Sequence, residues 1–249
     1  MDRIERTISS ACGIIRLDGF TVPMTVRDSI RRCLKDEAIF DFAVTYVAGA
    51  RAGYRSMHKL ERSEDDPYCY AGTDTLVNKL NIRDRNVLET KIRDVVAIRI
   101  AELERYPITK PVSADYLRSI HRHLYGDVFD WAGEYRTTDT DVLKCRSEHI
   151  DANVRMLFDD LEKREYLSDD GDISVGLAHV ICELHAISPF KSGNNPCILT
   201  MANVLAIMNG KYLDYSKASE SLFEIALKRS LVSDTDEMTE IVRNMIADY

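Results

Sequence analysis

The chain has 249 residues, of which 45% are hydrophobic and 30% are charged, and its formal net charge is −8 at neutral pH. This length can bury the core of one large domain or of two smaller ones. The acidic balance argues against sequence-independent nucleic-acid binding, which depends on lysine and arginine neutralising phosphates, so we predict no nucleic-acid partner.

No apolar stretch of the sequence reaches the ~20 residues that a membrane-spanning helix needs. The charged start of the chain, residues 1–6, has no apolar segment behind it. We therefore expect neither a membrane partner nor a secretory signal. The six cysteines are scattered and form no C-x-x-C pair, which is typical of reduced thiols, and we predict a cytoplasmic protein.

A helical period runs through the first 55 residues. Apolar side chains recur at positions 4, 8, 12 and 15, a spacing that puts them on one face of a helix. Gly19 can take the left-handed conformation that ends such a helix. A second helix is predicted after Pro23, where Thr25 and Asp28 are spaced as a capping box, and a third over residues 39–47. Residues 1–55 are therefore predicted to form a three-helix unit.

Polar residues at 62–67 indicate a linker, which we place at residues 56–67. Residues 68–249 form the second predicted unit, and their apolar period stays near 3.6, so the fold class is all-α. Pro196 is expected to open a late helix. The best strand signal is a short hairpin around Tyr135–Lys144. The residues predicted to precede or cap the other helices are Asp84, Ser113, Ser147 and Asp172.

Three segments between residues 68 and 249 together resemble the Fic family, whose fold is called Fido. The first, residues 70–79, reads YAGTDTLVNK, and the second, residues 127–137, reads DVFDWAGEYRT. The third, residues 188–196, reads SPFKSGNNP where the family has H-P-F-x-[D/E]-G-N-G-R. The resemblance implies a helical Fido-type domain with a short flap hairpin. It also implies a family activity, the transfer of AMP from ATP to protein hydroxyls.

The first 55 residues resemble the three-helix antitoxin that pairs with one class of Fic protein. The inhibitory motif of that antitoxin is [S/T]-x-x-x-E-[G/N], and the matching residues 14–19 read IIRLDG. Asp18 and Gly19 are therefore the remnant of the motif, while Ile14 departs from it. The resemblance implies an intramolecular antitoxin-like partner fused in front of the Fic domain. The alternative is a helical extension unrelated to antitoxins.

AMP transfer in this family needs a general base, an acidic ligand for Mg²⁺, main-chain amides at a helix N-terminus and arginines. By the resemblance, Ser188 stands at the position of the base and Ser192 at that of the metal ligand. Neither hydroxyl suits these roles at neutral pH. Asn195 replaces the second glycine. Pro196 and Leu199 replace the two arginines, and Pro196 also removes an N–H.

The same loop keeps part of the family motif, because Phe190, Gly193 and Asn194 match it. ATP or another nucleotide is therefore the candidate ligand, while Mg²⁺ is not expected. The alternative is that Gly193 and Asn194 only turn the loop into the following helix. The predicted anion- or nucleotide-binding residues are Phe190, Lys191, Ser192, Gly193, Asn194 and Asn195.

A second chemistry is suggested by His185, which precedes Ser188 by three residues, so that both side chains can share a helix face. This spacing permits a serine–histidine nucleophile pair. The alternative is a half-buried histidine beside a hydrogen-bonded serine. His179, Cys182 and His185 also recur every three residues, but that spacing drifts around a helix and no fourth zinc ligand follows. We therefore predict no metal site.

Three aromatic residues before the loop are interpreted as structural. Trp131 is predicted to be a packing anchor. His121 and His123 point to different faces of a helix, and both are predicted to lie in solvent or at the edge of the core.

Three hypotheses for the function follow. The first is a pseudoenzyme that keeps the fold as a binding or interaction module, with a protein partner or a second copy of the chain. The second is an enzyme with altered chemistry that acts on a phosphate-bearing or nucleotide substrate through the remnant loop. The third, ordinary AMP transfer with compensating residues from elsewhere, is the least favoured.

Overall fold

The computed structural model of the chain describes residues 2–52, 62–64, 66–167, 172–232 and 234–248. These residues are mostly helical, which confirms the all-α fold class. Among them, no helix combines the length and the apolar character needed to cross a bilayer. The predicted linker, residues 56–67, lies mainly outside the described residues.

The helices and strands are numbered in chain order. Strands β1 (Lys211–Leu213) and β2 (Ile246–Asp248) pair antiparallel, with Tyr212 opposite Ala247. The helices are α1 (Arg3–Leu17), α2 (Met24–Lys35), α3 (Ile39–Ala52), α4 (Arg85–Arg105), α5 (Ala114–Tyr125), α6 (Ile150–Lys163), α7 (Ile173–Ile187), α8 (Asn194–Met208), α9 (Glu220–Ser230) and α10 (Asp236–Met245).

Most of the predicted helix boundaries are found in the structure. The side chains of Asp84, Ser113 and Asp172 each accept a hydrogen bond from a first-turn N–H of α4, α5 and α7, at 3.0, 3.2 and 3.0 Å. Such bonds satisfy one of the unpaired donors of a helix start. Gly19 follows α1 with a φ of +85°, as predicted. The 3₁₀ turn Ser147–His149 leads into α6.

Two helix starts differ from the prediction. α2 begins at Met24, so Thr25 lies inside its first turn and forms no cap. α8 begins at Asn194, two residues before Pro196, because Gly193 with a φ of +77° turns the chain directly into the helix. Proline is tolerated in a first turn because an N–H there would have no partner within the helix.

The predicted hairpin around Tyr135–Lys144 is wrong, because this segment is irregular and bonds to the end of α7. The Arg136 N–H donates to Pro189 O at 2.9 Å, and the Cys145 N–H donates to Ala186 O at 3.0 Å. Arg136 and Cys145, at the start and just after the end of the segment, therefore use their N–H groups on the end of α7 and the loop that follows it. Those groups are not available for the ladder that two paired strands require.

The first three helices pack onto the rest of the chain through one continuous apolar core. Arg16 Nη2 on α1 donates to Tyr215 O and Ala218 O at 2.8 and 2.7 Å. Gly13 lets α1 approach the 3₁₀ turn Tyr215–Lys217 closely, because a Cβ at residue 13 would lie 2.5 Å from the Tyr215 Cβ. This docking brings Asp18, directly after α1, to the start of α8.

α7 and α8 cross the centre of the core. Leu177 and Leu184 on α7 and Met201 and Leu205 on α8 are all 0% exposed. Burial of such side chains stabilises each helix by about 1.5–3 kcal/mol per residue. The connection between them, residues 188–193, is therefore held at both ends by the core, and it is the segment that the family resemblance identifies as the site.

Candidate functional site

The connection between α7 and α8, which we call the motif loop (residues 188–193), begins and ends with left-handed backbone. Ser188 has a φ of +47° at the end of α7, and Gly193 has a φ of +77° at the start of α8. A Cβ on Gly193 would lie 2.2 Å from the Tyr125 ring, so only glycine fits there without a shift. The backbone of the motif loop thus rests directly on Tyr125.

The prediction that His121 lies in solvent or at the edge of the core is wrong, because its side chain packs against the motif loop inside the core. Its side chain is fully buried and stacks on Phe190, with the ring centroids 3.8 Å apart. Nδ1 accepts from the Gly133 N–H at 2.9 Å, so Nε2 carries the hydrogen and donates to Ser192 O at 2.9 Å. Burial lowers the pKa of His121 to about 4, and the ring is neutral at pH 7.

The other two aromatic predictions hold. Trp131 stacks on Phe129 with the centroids 4.4 Å apart, as expected of a packing anchor. His123 lies at the edge of the core, where its Nε2 is 3.1 Å from Arg99 O.

Asn194 closes the motif loop with its side chain. Its Oδ1 accepts from the Phe190 N–H at 2.9 Å, and its Nδ2 donates to Phe190 O at 2.8 Å. Both polar atoms of the amide are therefore engaged inside the loop. This geometry supports the alternative in which Asn194 turns the chain, and it directs the ring of Phe190 into the core.

The start of α8 offers main-chain donors. Within the described part of the chain, no acceptor is bonded to the N–H groups of Gly193, Asn194 or Asn195. The next residue, Pro196, has no N–H, and the Cys197 N–H already donates to Gly193 O at 3.3 Å. Unpaired amides at a helix N-terminus attract anions, so the motif loop retains the elements of a small anion site.

The side chain of Asn195, in the first turn of α8, lies close to those of Asp18 and His185, and it affects the pKa of both. Burial raises the pKa of Asp18 to about 7, and the neighbouring amide of Asn195 opposes this rise. Burial lowers the pKa of His185 to about 4, and the charge of Lys144 acts in the same direction.

Ser188 and His185 are not brought together as a nucleophile pair. The Ser188 N–H donates to Leu184 O at 2.8 Å, and Ser188 O accepts from Arg136 Nε at 2.9 Å. Among the described residues, no hydrogen bond joins the Ser188 hydroxyl to the His185 ring. His185 is instead turned to Asn195.

Lys191, the one positive charge that the sequence offers in the motif loop, is paired outside it. Its Nζ lies 2.6 Å from Asp66 Oδ2 and 5.2 Å from the centroid of the Tyr68 ring. The positive charge of Lys191 is therefore largely neutralised by Asp66. Leu199, which the resemblance places at the second family arginine, is 1% exposed and belongs to the core.

Two basic residues next to the motif loop were not singled out from the sequence. Arg136 has a fully buried guanidinium that donates to the carbonyls of Ser188, Thr138, Cys145 and Ile187. In the sequence, Arg136 is marked only by its place in residues 127–137, the second segment that resembles the Fic family. Lys144 Nζ donates to His185 O at 2.8 Å, and burial lowers the pKa of Lys144 to about 8.

The residues around the motif loop fit an anion better than a divalent cation. Of the nearby carboxyls, Asp66 is paired with Lys191, and Asp18 lies close to Asn195 and has its pKa raised by burial. Mg²⁺ prefers several charged or neutral oxygen ligands in octahedral geometry. Within the described residues, no group of three or more histidine, cysteine, aspartate or glutamate side chains is arranged to hold a metal ion.

Comparison with known proteins identifies the family. A sequence model of the Fic/DOC family matches residues 111–206. The chain is 31% identical over 188 residues to an Escherichia coli K12 protein named "Probable protein adenylyltransferase Fic", a match that covers 74% of this chain and 93% of that protein. The chain belongs to the Fic/DOC family. A relative from Sinorhizobium fredii, "Probable protein adenylyltransferase y4lH", is 32% identical over 188 residues, covering 73% of this chain and 96% of the relative.

Solved structures confirm the Fido-type fold. BepC, a Bartonella tribocorum effector crystallised with AMPPNP, superposes with a TM-score of 0.67 at 22% identity, covering 77% of this chain and 100% of that one. The Fic domain of Bep8 from Bartonella sp. 1-1C gives a TM-score of 0.66 at 23% identity, covering 72% and 93%. At these identities the likeness establishes the fold alone.

Proposed function

We propose that this Fic-family protein does not transfer AMP and acts as a binding or interaction module. The observation that carries the proposal is the engagement of Asn195. A glycine in this place would leave the start of α8 open, whereas the side chain of Asn195 lies against Asp18 and His185. Side chains of the protein itself thus occupy the edge of the phosphate site.

The lack of a general base supports the proposal. Ser188, aligned with the family histidine, has a hydroxyl that takes up no proton near neutral pH. His185 is the nearest histidine along the chain, but burial lowers its pKa to about 4 and its ring lies close to Asn195. Loss of a general base costs ~10²–10⁴ in rate by itself.

The loss of charge at the positions of the two family arginines supports it too. Arginines in the family motif neutralise the polyphosphate, and here Pro196 and Leu199 stand in their places. Leu199 is buried in the core, and Lys191 is paired with Asp66. Because these losses affect charge stabilisation, whereas the loss of the base affects proton transfer, their effects on rate multiply.

A transfer assay with ATP labelled on the α-phosphate tests the proposal. The purified chain is incubated with Mg²⁺ or Mn²⁺ and with proteins of a bacterial lysate, and an active Fic adenylyltransferase serves as the positive control. We expect no label on the chain or on lysate proteins. Label that disappears in a Ser188→Ala variant would reject the proposal.

We also propose that the three unpaired amides of residues 193–195 give the motif loop affinity for a phosphate-bearing ligand. This feature equally favours the second candidate function, an altered chemistry on such a ligand. Calorimetric titration with ATP, with and without Mg²⁺, tests the affinity. Binding that does not need Mg²⁺ supports an anion site, and absence of heat up to millimolar ATP would reject it.

The N-terminal helices α1–α3 are proposed to act as an intramolecular antitoxin-like unit. In support, Asp18 lies directly after α1 and close to the first turn of α8. By the resemblance, the antitoxin acid pairs with the second arginine of the family motif. Here Leu199 stands at that position, and Asp18 lies close to the amide of Asn195 instead.

A further inference from the structure

A groove of about 430 Å³ lies between α1, α2 and the 3₁₀ turn Tyr215–Lys217, and no residue of the motif loop lines it. Its two long walls are formed by one face of α1 and one face of α2, because the lining residues of each helix recur every three or four positions. The lining residues of α1 include Glu5, Ser9, Cys12 and Arg16, and those of α2 are Met24, Arg27 and Arg31.

The groove is positively charged although the chain as a whole is acidic. Residues 1–35 contain seven lysines and arginines against four aspartates and glutamates, whereas the whole chain has a formal net charge of −8. Three of the side chains that line the groove are arginines, and Glu5 is the acidic one among them. A local excess of positive charge on an acidic protein indicates an anionic ligand or partner.

One end of the groove is neutralised within the protein. Arg31 Nε lies 2.7 Å from Glu5 Oε1, and Arg31 Nη2 lies 3.2 Å from Glu5 Oε2, so the two side chains form a bidentate pair between α1 and α2. Arg31 Nη1 also donates to Asp28 Oδ1 at 2.6 Å. The charge of Arg31 is therefore balanced, and no ligand is expected at this end.

The other end contains two arginines that are held by main-chain carbonyls. Arg16 Nη2 donates to two carbonyls at and after the 3₁₀ turn, at 2.8 and 2.7 Å, and Arg27 Nε donates to Val22 O at 2.8 Å. Within the described part of the chain, neither guanidinium forms an ion pair with a carboxylate, and N–H groups of both are left without an acceptor. This end of the groove therefore lacks the acid that Glu5 supplies at the opposite end.

The two unpaired arginines lie around the same floor. Burial raises the pKa of the Cys12 thiol, and the charges of Arg27 and Arg31 oppose this rise, so both guanidinium groups lie near Cys12. Arg16 follows Cys12 by one helical turn on the same face of α1. Ser9 precedes Cys12 on that face, and its hydroxyl has no hydrogen-bond partner among the described residues.

We propose that this end of the groove binds a phosphate dianion, either free or at the end of a small ester, between Arg16 and Arg27. Two guanidinium charges match the two charges of the phosphate, whereas a carboxylate supplies only one. Arginine also binds phosphate oxygens through paired N–H donors. Ile8 and Met24 line the groove as well and can contact the apolar part of an ester. The proposal is independent of the motif loop, which is a separate anion site.

Calorimetric titration of the full chain with inorganic phosphate tests the proposal, with acetate as a singly charged probe at the same ionic strength. The pH is kept above 7, where phosphate is mainly a dianion. We expect acetate to bind at least about tenfold more weakly, because it has one charge for two arginines. Phenyl phosphate distinguishes the two sources of the group, since tighter binding than inorganic phosphate indicates an ester and equal binding indicates the free ion.

Variants separate the groove from the motif loop and from non-specific attraction. Arg27→Gln is expected to lose at least about tenfold in affinity for phosphate, because it removes charge-assisted hydrogen bonds. Arg32→Gln is the matched control, because Arg32 is exposed on the same helix, lies outside the groove and carries the same charge. Phosphate binding that persists in Arg27→Gln with wild-type affinity belongs to the motif loop and would overturn the proposal.

A second pair of variants is used if Arg27→Gln does not fold. Ser9→Glu places a carboxylate in the groove and is expected to weaken phosphate binding at least about tenfold, whereas Ser9→Gln, of similar size and without charge, keeps it. Equal affinities of these two variants would contradict the proposal. So would equal affinity for phosphate and acetate, equal losses in Arg27→Gln and Arg32→Gln, or no heat at about 10 mM phosphate.

Discussion

The side chain of Asp18, directly after α1, lies close to that of Asn195, in the first turn of α8. The same amide also lies close to His185 on α7. One asparagine thus connects the N-terminal helices with both helices that flank the motif loop. Because buried polar groups are costly when left unpaired, a change in any one of the three residues is expected to affect the other two.

The Asp18 contact predicts a pH-dependent stability. Burial raises the pKa of Asp18 to about 7, well above the ~4 of an exposed aspartate. A raised carboxyl pKa stabilises the fold fully below pH ~4, and this contribution is lost as the pH rises through 7. We therefore expect the free energy of unfolding of Asp18→Asn to increase relative to the wild type between pH 6 and pH 8.

Urea unfolding at several pH values measures this difference, and Asp159→Asn, at an exposed position of α6, is the control that should follow the wild type. A constant gap between Asp18→Asn and the wild type would mean that Asp18 is charged throughout the range.

The close approach of Gly193 to Tyr125 predicts a clash. In Gly193→Ala the methyl group meets both a left-handed backbone and the Tyr125 ring, at 2.2 Å. We expect a loss of about 3 kcal/mol in the free energy of unfolding, from backbone strain and overpacking together. Gly210→Ala is the matched control, because its φ of +69° is similar but nothing lies within 4 Å of its Cβ.

Gly210→Ala should lose only the part that comes from backbone strain, about 1 kcal/mol of the free energy of unfolding. Equal losses in the two variants would show that the contact with Tyr125 has no energetic weight.

The buried guanidinium of Arg136 predicts that the end of α7 depends on it. Arg136→Ala leaves several carbonyls without donors, and each buried unsatisfied acceptor costs about 1–3 kcal/mol. We expect a loss of at least about 3 kcal/mol by urea unfolding. Arg136→Lys should recover only part of it, because an ammonium cannot span the same set of acceptors. Arg146→Ala, at an exposed position nearby, should change the free energy by less than about 0.5 kcal/mol.

The buried His121 predicts a stability that depends on pH in the direction opposite to that predicted for Asp18. Its pKa is lowered to about 4, so its stabilising effect is complete above pH ~6.5 and is lost as the pH falls through 4. His121→Phe keeps the stacking on Phe190 but removes the hydrogen bonds to Gly133 and Ser192. We expect the variant to be about 2 kcal/mol less stable than the wild type at pH 7, and the gap should narrow toward pH 4.5. A gap that widens on acidification would contradict a neutral buried ring.

The local parts of the fold were predictable from the sequence, and the long-range contacts were not. Asp84, Ser113 and Asp172 cap their helices as predicted, because a cap depends on residues only two or three positions apart. The hairpin at Tyr135–Lys144 was predicted from local signals, but contacts with the end of α7 override them.

The candidate site follows the same pattern. The position of the motif loop was predictable, since Gly193 and Asn194 carry the signals of a turn into a helix. The burial of His121 was not, because its partners Ser192 and Gly133 are distant in sequence. Nor could the sequence indicate that Asn195 lies close to Asp18, because the two residues are far apart in the chain.

AMP transfer in this chain is proposed to be lost and not merely locked by the N-terminal helices. Asp18→Gly tests this distinction most directly, because it removes the carboxyl that lies close to Asn195 and changes no residue of the motif loop. Transfer of α-labelled phosphate from ATP is measured for this variant and for the wild type, with Asp159→Asn as the control. The prediction is that none of the three proteins labels itself or a lysate protein, since releasing Asn195 restores neither a base at Ser188 nor an arginine at Leu199. Label that appears only in Asp18→Gly would contradict it and would identify Asp18 as the lock of an active enzyme.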